Sequence, residues 1–270
     1  MSTFTEFWTG TDTNAALPFP TGTGVAPEHF YIGRIGGEVT ASSYGFDIKA
    51  AKAANRVFGY WDLAGPSQVV TLGATWGEQQ AKSFASSFHN FRPAQVRGTT
   101  LFLDVESGNG GWGNDSSANR SVLRAALAAL KSLGFTPGVY IGLSAWVQFF
   151  SSAEWSPNIP FVLWLAGNAN QTLAEAIAQW ETLPTLGGMR PMLWQYNSSG
   201  STASPTQDRN LTPYGGWLHG AWKPTPVTAS TPAPQPVVVP PWTPQEQAVA
   251  LLNTVAADVQ QAITIIQGGK

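Results

Sequence analysis

From the start of the chain to about residue 218, short apolar or β-branched runs alternate with longer amphipathic segments. That alternation predicts βα units wound into a parallel sheet or barrel. The apolar runs fall at 4–9, 29–34, 57–62, 99–105, 138–142, 161–166 and 191–196, and helices are expected at 47–54, 76–89, 119–133 and 171–180. The helix at 119–133 has the clearest signature. Val122, Leu123, Ala126, Leu127, Leu130 and Leu133 recur on one helical face, Gly134 offers a C-terminal cap, and Pro137 follows. These strands come one short of a closed eight-stranded barrel, with the eighth expected to be short or irregular. The fold class expected is therefore α/β, an irregular (β/α) TIM-like barrel spanning 1–222.

After Trp222 the pattern breaks. Residues 223–242 hold Pro224, Pro226, Pro232, Pro234, Pro236, Pro240 and Pro241 among Thr, Ala and Val. Proline at that density predicts a stiff, extended linker. Thr243-Pro244-Gln245-Glu246 then has the form of a capping box with proline at the first helical position. Val249, Leu252, Ala256, Val259, Ile263 and Ile266 follow in a 3-4-3-4 spacing, so 243–268 is expected to be an amphipathic, coiled-coil-like helix. Three heptads are marginal alone in water, which points to packing on other copies, on a partner protein or on the barrel.

Composition narrows the function classes. Only 11% of the 270 residues are charged and the net charge is −2, with 14 Lys and Arg scattered along the chain. Nucleic acid is not expected as a partner, because phosphate binding needs clustered basic surface. Cysteine is absent, which excludes disulfides and thiolate metal sites. His29, His89 and His219 lack metal-ligand spacing. No cofactor is expected: P-loop, dinucleotide and nucleophile-elbow motifs are all missing. The first residues lack a basic segment followed by an apolar one and no stretch approaches the length of a membrane span, so neither a leader peptide nor a membrane partner is expected.

In so acid-poor a chain, Asp104 and Glu106 stand out. They close the apolar run Thr100-Leu101-Phe102-Leu103, and residues i and i+2 of a strand share a face. Two like charges at a buried strand end raise the cost of ionisation, which suits a raised-pKa acid. One acid facing solvent through a twist or bulge while the other caps the following loop, or a cation held between the two, would also account for them. In a (β/α) barrel, working residues sit at the C-terminal ends of strands. Asp12, Asp62 and Asp208 occupy such positions, in Gly10-Thr11-Asp12, Tyr60-Trp61-Asp62 and, after the last run, Gln207-Asp208-Arg209-Asn210. Acids converging on one mouth with aromatic neighbours match glycoside cleavage, which needs one carboxylic acid and a second negative group. Tyr60, Trp112, Tyr140, Trp164, Trp194 and Tyr196 are the candidate sugar-stacking or substrate-binding side chains, with Asp62 beside them. Filling the barrel is the alternative role for Trp164, Trp194 and Tyr196. The glycine-rich loop 107–117 that carries Trp112 would be either a substrate-gripping loop or a solvated turn.

Four local patterns resemble glycoside hydrolase family 25, the muramidase-type lysozymes of bacteria and phages, and related glycoside-hydrolase-like domains. They are Asp104-Val105-Glu106 closing a strand; Pro137-Gly138-Val139-Tyr140 after a helix; Leu163-Trp164-Leu165-Ala166; and Leu193-Trp194-Gln195-Tyr196 preceding Asp208-Arg209-Asn210. The resemblance implies an irregular barrel that cleaves the β-1,4 bond between N-acetylmuramic acid and N-acetylglucosamine in peptidoglycan. It further implies Glu106 as general acid, Asp104 as its supporting charge, and Asp12 and Asp208 lining the same groove. Retention of anomeric configuration, with help from the substrate's own N-acetyl group, comes with it. The chain departs from the family in two places. Gly10-Thr11-Asp12-Thr13-Asn14 replaces the usual opening motif, and Tyr60-Trp61-Asp62 removes a histidine and adds an acid. The expected partner is bacterial peptidoglycan. A phage lysin held in the host cytoplasm until lysis, or a virion tail component that self-associates or anchors through 243–268, is the expected setting. A non-catalytic glycan-binding virion component is the rival expectation.

Overall fold

The computed structural model describes residues 7–13, 29–37, 40–41, 57–66, 73–90, 98–167, 171–197 and 208–213. The chain divides at Val227 into two units, and all of these residues lie in the first. The helix expected at 47–54, the linker at 223–242 and the helix at 243–268 lie outside the described residues.

Among the described residues nine strands are present: β1 (Phe7–Thr13), β2 (Phe30–Gly37), β3 (Thr40–Ala41), β4 (Val57–Asp62), β5 (Thr100–Asp104), β6 (Thr136–Ile141), β7 (Val162–Ala166), β8 (Pro191–Asn197) and β9 (Asp208–Pro213). The helices are α1 (Gly73–Asn90), α2 (Ser116–Ser132), α3 (Leu143–Phe150) and α4 (Leu173–Gln179). Hydrogen bonding runs β1-β9-β8-β7-β6-β5-β4-β2-β3, and a further β1–β2 pairing closes the ring, leaving β3 as an antiparallel flap on β2. The ring is parallel except for β9, which is antiparallel to both its neighbours. This is a TIM-like barrel with one reversed strand, in agreement with the fold expected from the apolar pattern.

Four elements differ from expectation. β1 lies further along the chain than the apolar run at 4–9, so Asp12 is inside the strand and not beyond it. β9 is the missing eighth strand, and Asp208 opens it instead of standing in a loop. α3 was not foreseen. It starts directly after Gly142 with no side-chain cap and is held by burial of Trp146, Phe149 and Phe150. α2 begins three residues earlier than its apolar face, because Asp115 Oδ1 accepts from the amides of Ser117 and Ala118 and so satisfies the first turn.

Strand alternation produces two separate cores. Outward-facing residues such as Trp61, Leu101, Leu103, Val139, Ile141, Leu163 and Leu165 pack in one core with Phe84, Phe88 and the apolar face of α2. Trp61 stacks on Phe84 of α1 at 5.5 Å. Phe30, Phe58, Phe102, Val162, Trp164 and Leu193 fill the barrel interior. Their edge-on packing, as between Phe102 and Trp164 at 5.2 Å, makes the lower barrel a solid plug. Gly138 on β6 makes room for it, since a Cβ there would come within 2.4 Å of the Phe102 ring. Above the plug the interior face turns polar.

Candidate active site

The mouth of the barrel is built from the last inward-facing residue of several strands. Register pairs Asp62 of β4 with Asp104 of β5, and Asp104 with Tyr140 of β6. On the other side of the ring, Asp12 of β1 is paired with Asp208 of β9. β9 runs in reverse, so its first residue, not its last, reaches the mouth. Glu106 lies two residues beyond the end of β5 and keeps the phase of Asp104. The backbone there is held on both sides, by Leu63 N–H donating to Asp104 O and Val105 N–H donating to Tyr140 O, each at 2.9 Å. Asp12, Asp62, Asp104, Glu106 and Asp208 thus ring one polar space.

Gln195 spans that ring. Its Nε2 donates to Asp208 Oδ2 at 2.9 Å and to Asp12 Oδ2 at 3.3 Å, while its Oε1 accepts from the Tyr140 hydroxyl at 2.8 Å. Asn210 adds a second brace. Its Nδ2 donates to Asp12 Oδ2 at 2.6 Å, and its Oδ1 accepts from the Trp164 indole at 2.8 Å. Neither Gln195 nor Asn210 was among the site residues expected from the sequence, although both lie in the quoted motifs. The signal available was polarity at the inward phase of two strands that otherwise bury apolar side chains.

Electrostatics follow from crowding and burial. Burial, then the Asp208 charge and, more weakly, the Glu106 charge, push Asp12 up to about 8, against hydrogen bonds from Asn210 and Gln195. Asp104 is raised well above the usual carboxyl range, first by burial and then by Glu106, Asp62 and Asp12, against a hydrogen bond from Asn109. One of its carboxyl oxygens is buried without a hydrogen-bond partner, as suits a protonated acid better than a carboxylate. Asp62 is pushed to about 6 by burial, with Arg34 pulling down and Glu106 pushing up. Glu106 is raised by burial and by Asp208, while a hydrogen bond with Tyr140 opposes the rise. Tyr60 and Tyr140, buried beside these acids, are held as neutral phenols.

Asp62, the acid that departs from the family pattern, forms an ion pair with Arg34 of β2. Arg34 had not been singled out in the sequence. The pair lies at the mouth, next to Asp104 in register.

The aromatic candidates separate into two groups. Tyr60, Tyr140 and Trp164 face the interior; Tyr140 and Trp164 lie 4.4 Å apart, in register with Asp104. Trp194 and Tyr196 do not. They flank inward-facing Gln195, so alternation sends them to the outer core beneath the helices, which corrects their placement among the substrate-facing residues. Trp112 is corrected too. Its indole N–H donates to Leu63 O at 2.8 Å and its ring stacks on Phe149 at 5.5 Å, so it is a buried wedge and cannot grip a ligand. The loop carrying it is clasped to the loop after β4: Gly65 N–H donates to Gly110 O at 2.9 Å. Gly111 has φ +78°, and a Cβ there would lie 2.6 Å from Gly65 O, so only glycine fits the clasp. Gln80 of α1 secures the other side by exchanging two hydrogen bonds with the Ala64 backbone, at 2.7 and 2.9 Å.

Among the described residues, no group of three or more His, Asp or Glu stands in an arrangement that could hold a metal ion. His29 instead accepts from the Thr9 amide at 3.3 Å and stacks on Trp8 at 5.1 Å. No helix among the described residues is long and apolar enough to cross a membrane.

No protein-family profile and no curated protein sequence matches the chain. Solved structures do match. An uncharacterized protein of B. stearothermophilus is similar at 14% identity and a TM-score of 0.53, covering 76% of this chain and 95% of that one. The spore cortex lytic enzyme SleM of Clostridium perfringens is similar at 15% identity and a TM-score of 0.52, covering 77% and 67%. A muramidase from Trichobolus zukalii aligns at 18% identity and a TM-score of 0.48, covering 75% and 92%. The first two similarities establish a shared barrel fold, which is the fold that the resemblance to family 25 implies.

Proposed function

We propose that the barrel is a peptidoglycan hydrolase, an N-acetylmuramidase that cleaves the β-1,4 bond on the reducing side of N-acetylmuramic acid. The observation that carries this reading is Glu106: a half-buried carboxyl at the barrel mouth, shifted upward by burial, facing acids from other strands. A protonated Glu106 donates to the glycosidic oxygen as the C1–O bond breaks. Asp208 and the residual negative charge of its neighbours stabilise the oxocarbenium character that develops at C1. The N-acetyl carbonyl of the substrate takes the nucleophile's place, and Glu106, now ionised, removes a proton from the water that completes hydrolysis. Asp104, buried behind Glu106, holds its own proton and keeps the local charge low. The fold shared with a spore cortex lytic enzyme supports the substrate class.

Purified peptidoglycan digested by the protein, reduced with borohydride and analysed by mass spectrometry should yield fragments ending in reduced N-acetylmuramic acid. Fragments ending in reduced N-acetylglucosamine would overturn the bond assignment, and no fragments at all would favour a glycan-binding role.

The proposed setting is a phage lysin or virion component, with 243–268 as an assembly helix; the apolar 3-4-3-4 spacing supports it. Truncation after Trp222 should lower the light-scattering mass by more than the mass of the removed segment. A drop equal to the removed segment would eliminate self-association.

A further inference from the structure

The mouth gathers Asp12, Asp62, Asp104, Glu106 and Asp208, and among the described residues one cation, Arg34, faces them. On β2, Phe30 and Ile32 point into the barrel while Tyr31 and Ile35 point to the outer core, so Arg34 takes the inward phase. Register sets it level with Tyr60, one inward layer below Asp62, and its long side chain reaches up to that carboxyl. A bulge between Arg34 and Gly36 then brings Gly37 opposite Asp62. A Cβ at Gly37 would lie 3.0 Å from Asp62 Cβ and 3.5 Å from Oδ2, so glycine leaves the carboxyl its place beside the guanidinium. The other described cations lie away from this ring. They stand on α1 and α2, pair with Glu181 in the case of Arg190, or take the outward phase of β9 in the case of Arg209.

As a structural ion pair this one is incomplete. Arg34 Nη2 meets a single oxygen, Asp62 Oδ2, and Nε is buried without a partner. A guanidinium presents five N–H donors in a fork that matches a carboxylate with two parallel bonds, and here the fork is only partly used. The Arg34 side chain is 31% exposed and that of Asp62 18%, so the pair is open to the mouth. Asp62 is pushed up to about 6 in spite of the positive charge beside it. An arginine kept only for stability gains most by closing on its partner with two bonds; this one keeps donors in reserve. A neutral sugar in this cleft needs no cation. A carboxylate does, because the acids repel it unless a positive group meets it. N-acetylmuramic acid differs from N-acetylglucosamine by a lactyl ether that ends in a carboxyl, and the peptides attached there carry carboxylates of their own. We infer that Arg34 is a specificity-determining residue that receives a carboxylate carried by the glycan, with Asp62 holding the guanidinium in place between ligands. The choice of sugar rests on the peptidoglycan reading; recognition of the carboxylate requires no cleavage.

The test is isothermal titration calorimetry on the full-length protein with N-acetylglucosaminyl-β-1,4-N-acetylmuramic acid, the disaccharide that the proposed cleavage leaves, and with the same disaccharide carrying its peptide on the lactyl group. Each is used as the free acid and with its carboxyls methyl-esterified. The wild type should bind a free acid about tenfold more tightly than its ester, the worth of a charge-assisted hydrogen bond. Preference for the acid in the bare disaccharide assigns Arg34 to the lactyl carboxylate; preference shown by the peptide form alone assigns it to the peptide. In Arg34→Met the ratio of acid to ester affinity should fall to about one, with the ester bound as in the wild type to within about twofold. Should that variant fail to fold, Arg34→Met combined with Asp62→Asn removes both charges and is read in the same way. A wild-type ratio of one for both ligands, or no binding of either, overturns the inference, as does a preference that survives the loss of Arg34. Peptidoglycan clearing by the wild type is read separately. Clearing without acid preference leaves the hydrolase reading and removes the inference, whereas acid preference without clearing does the reverse.

Discussion

Glu106→Gln should abolish peptidoglycan clearing while leaving the fold intact. General acid catalysis typically supplies 10²–10⁴-fold, and a leaving sugar oxygen is a poor departing group without a proton, so a loss of about 10³-fold in kcat is expected. Glutamine preserves the shape of the side chain but has no acidic proton to give to the leaving oxygen. Circular dichroism and substrate binding should consequently be unchanged, and the melting temperature at pH 8 should hold or rise slightly. Loss of turbidity of a purified wall suspension is a sufficient assay. Equal clearing by the variant and the wild type would exclude Glu106 as the proton donor and shift attention to Asp62, a mouth acid pushed up to about 6.

The second large effect is on stability, and its sign runs against the usual behaviour of paired carboxylates. Asp12, Asp62 and Asp104 all have folded-state pKa values above the ordinary aspartate value near 3.8. Below about pH 4 they are protonated in both the folded and the unfolded chain and contribute no pH dependence. As pH rises, the unfolded chain releases these protons first while the fold retains them, so stability falls. The fall continues to about pH 6 for Asp62 and about pH 8 for Asp12. Each group contributes at most ~1.4 kcal/mol per pH unit, and coupling among the acids reduces the total to several kcal/mol. A drop in melting temperature on the order of 10 °C between pH 5 and pH 8 is expected. Asp12→Asn should flatten the decline, since asparagine can still accept from Asn210 and Gln195 but has no proton to lose. A melting temperature that stays level or rises over this range would show that the acids ionise in the fold.

The strands of the lower barrel were legible because their apolar phase has one simple cause, burial on both faces. β4 through β8 appear where the apolar runs lie, within two residues at either end. β9 was not legible as a strand. Its inward phase is Asp208, Asn210 and Thr212, so the rule of apolar residues facing inward is inverted where the strand builds the site. The same inversion explains Trp194 and Tyr196. Alternation correctly separates them from Gln195, but the sequence does not say which set faces the interior, and aromatic side chains seemed the better candidates for a sugar site. The outer core claimed them because the helices cover it. Asp104 and Glu106 were legible as a pair because i and i+2 must share a face whichever face it is. Their link to Asp12 and Asp208 was not legible, since it passes through Gln195 and Tyr140, residues brought together only by barrel closure.

The glycine clasp between the loops after β4 and β5 bears on how the acid becomes ready to act. Gly65, Gly111 and the Trp112 wedge anchor the chain just downstream of Glu106, and strand pairing to Leu63 and Tyr140 anchors it just upstream. The freedom that a catalytic loop ordinarily surrenders when substrate arrives has here been surrendered once, during folding. Binding then does not have to order residues 107–112. A long, insoluble glycan strand that can be approached only from outside meets an acid already in position.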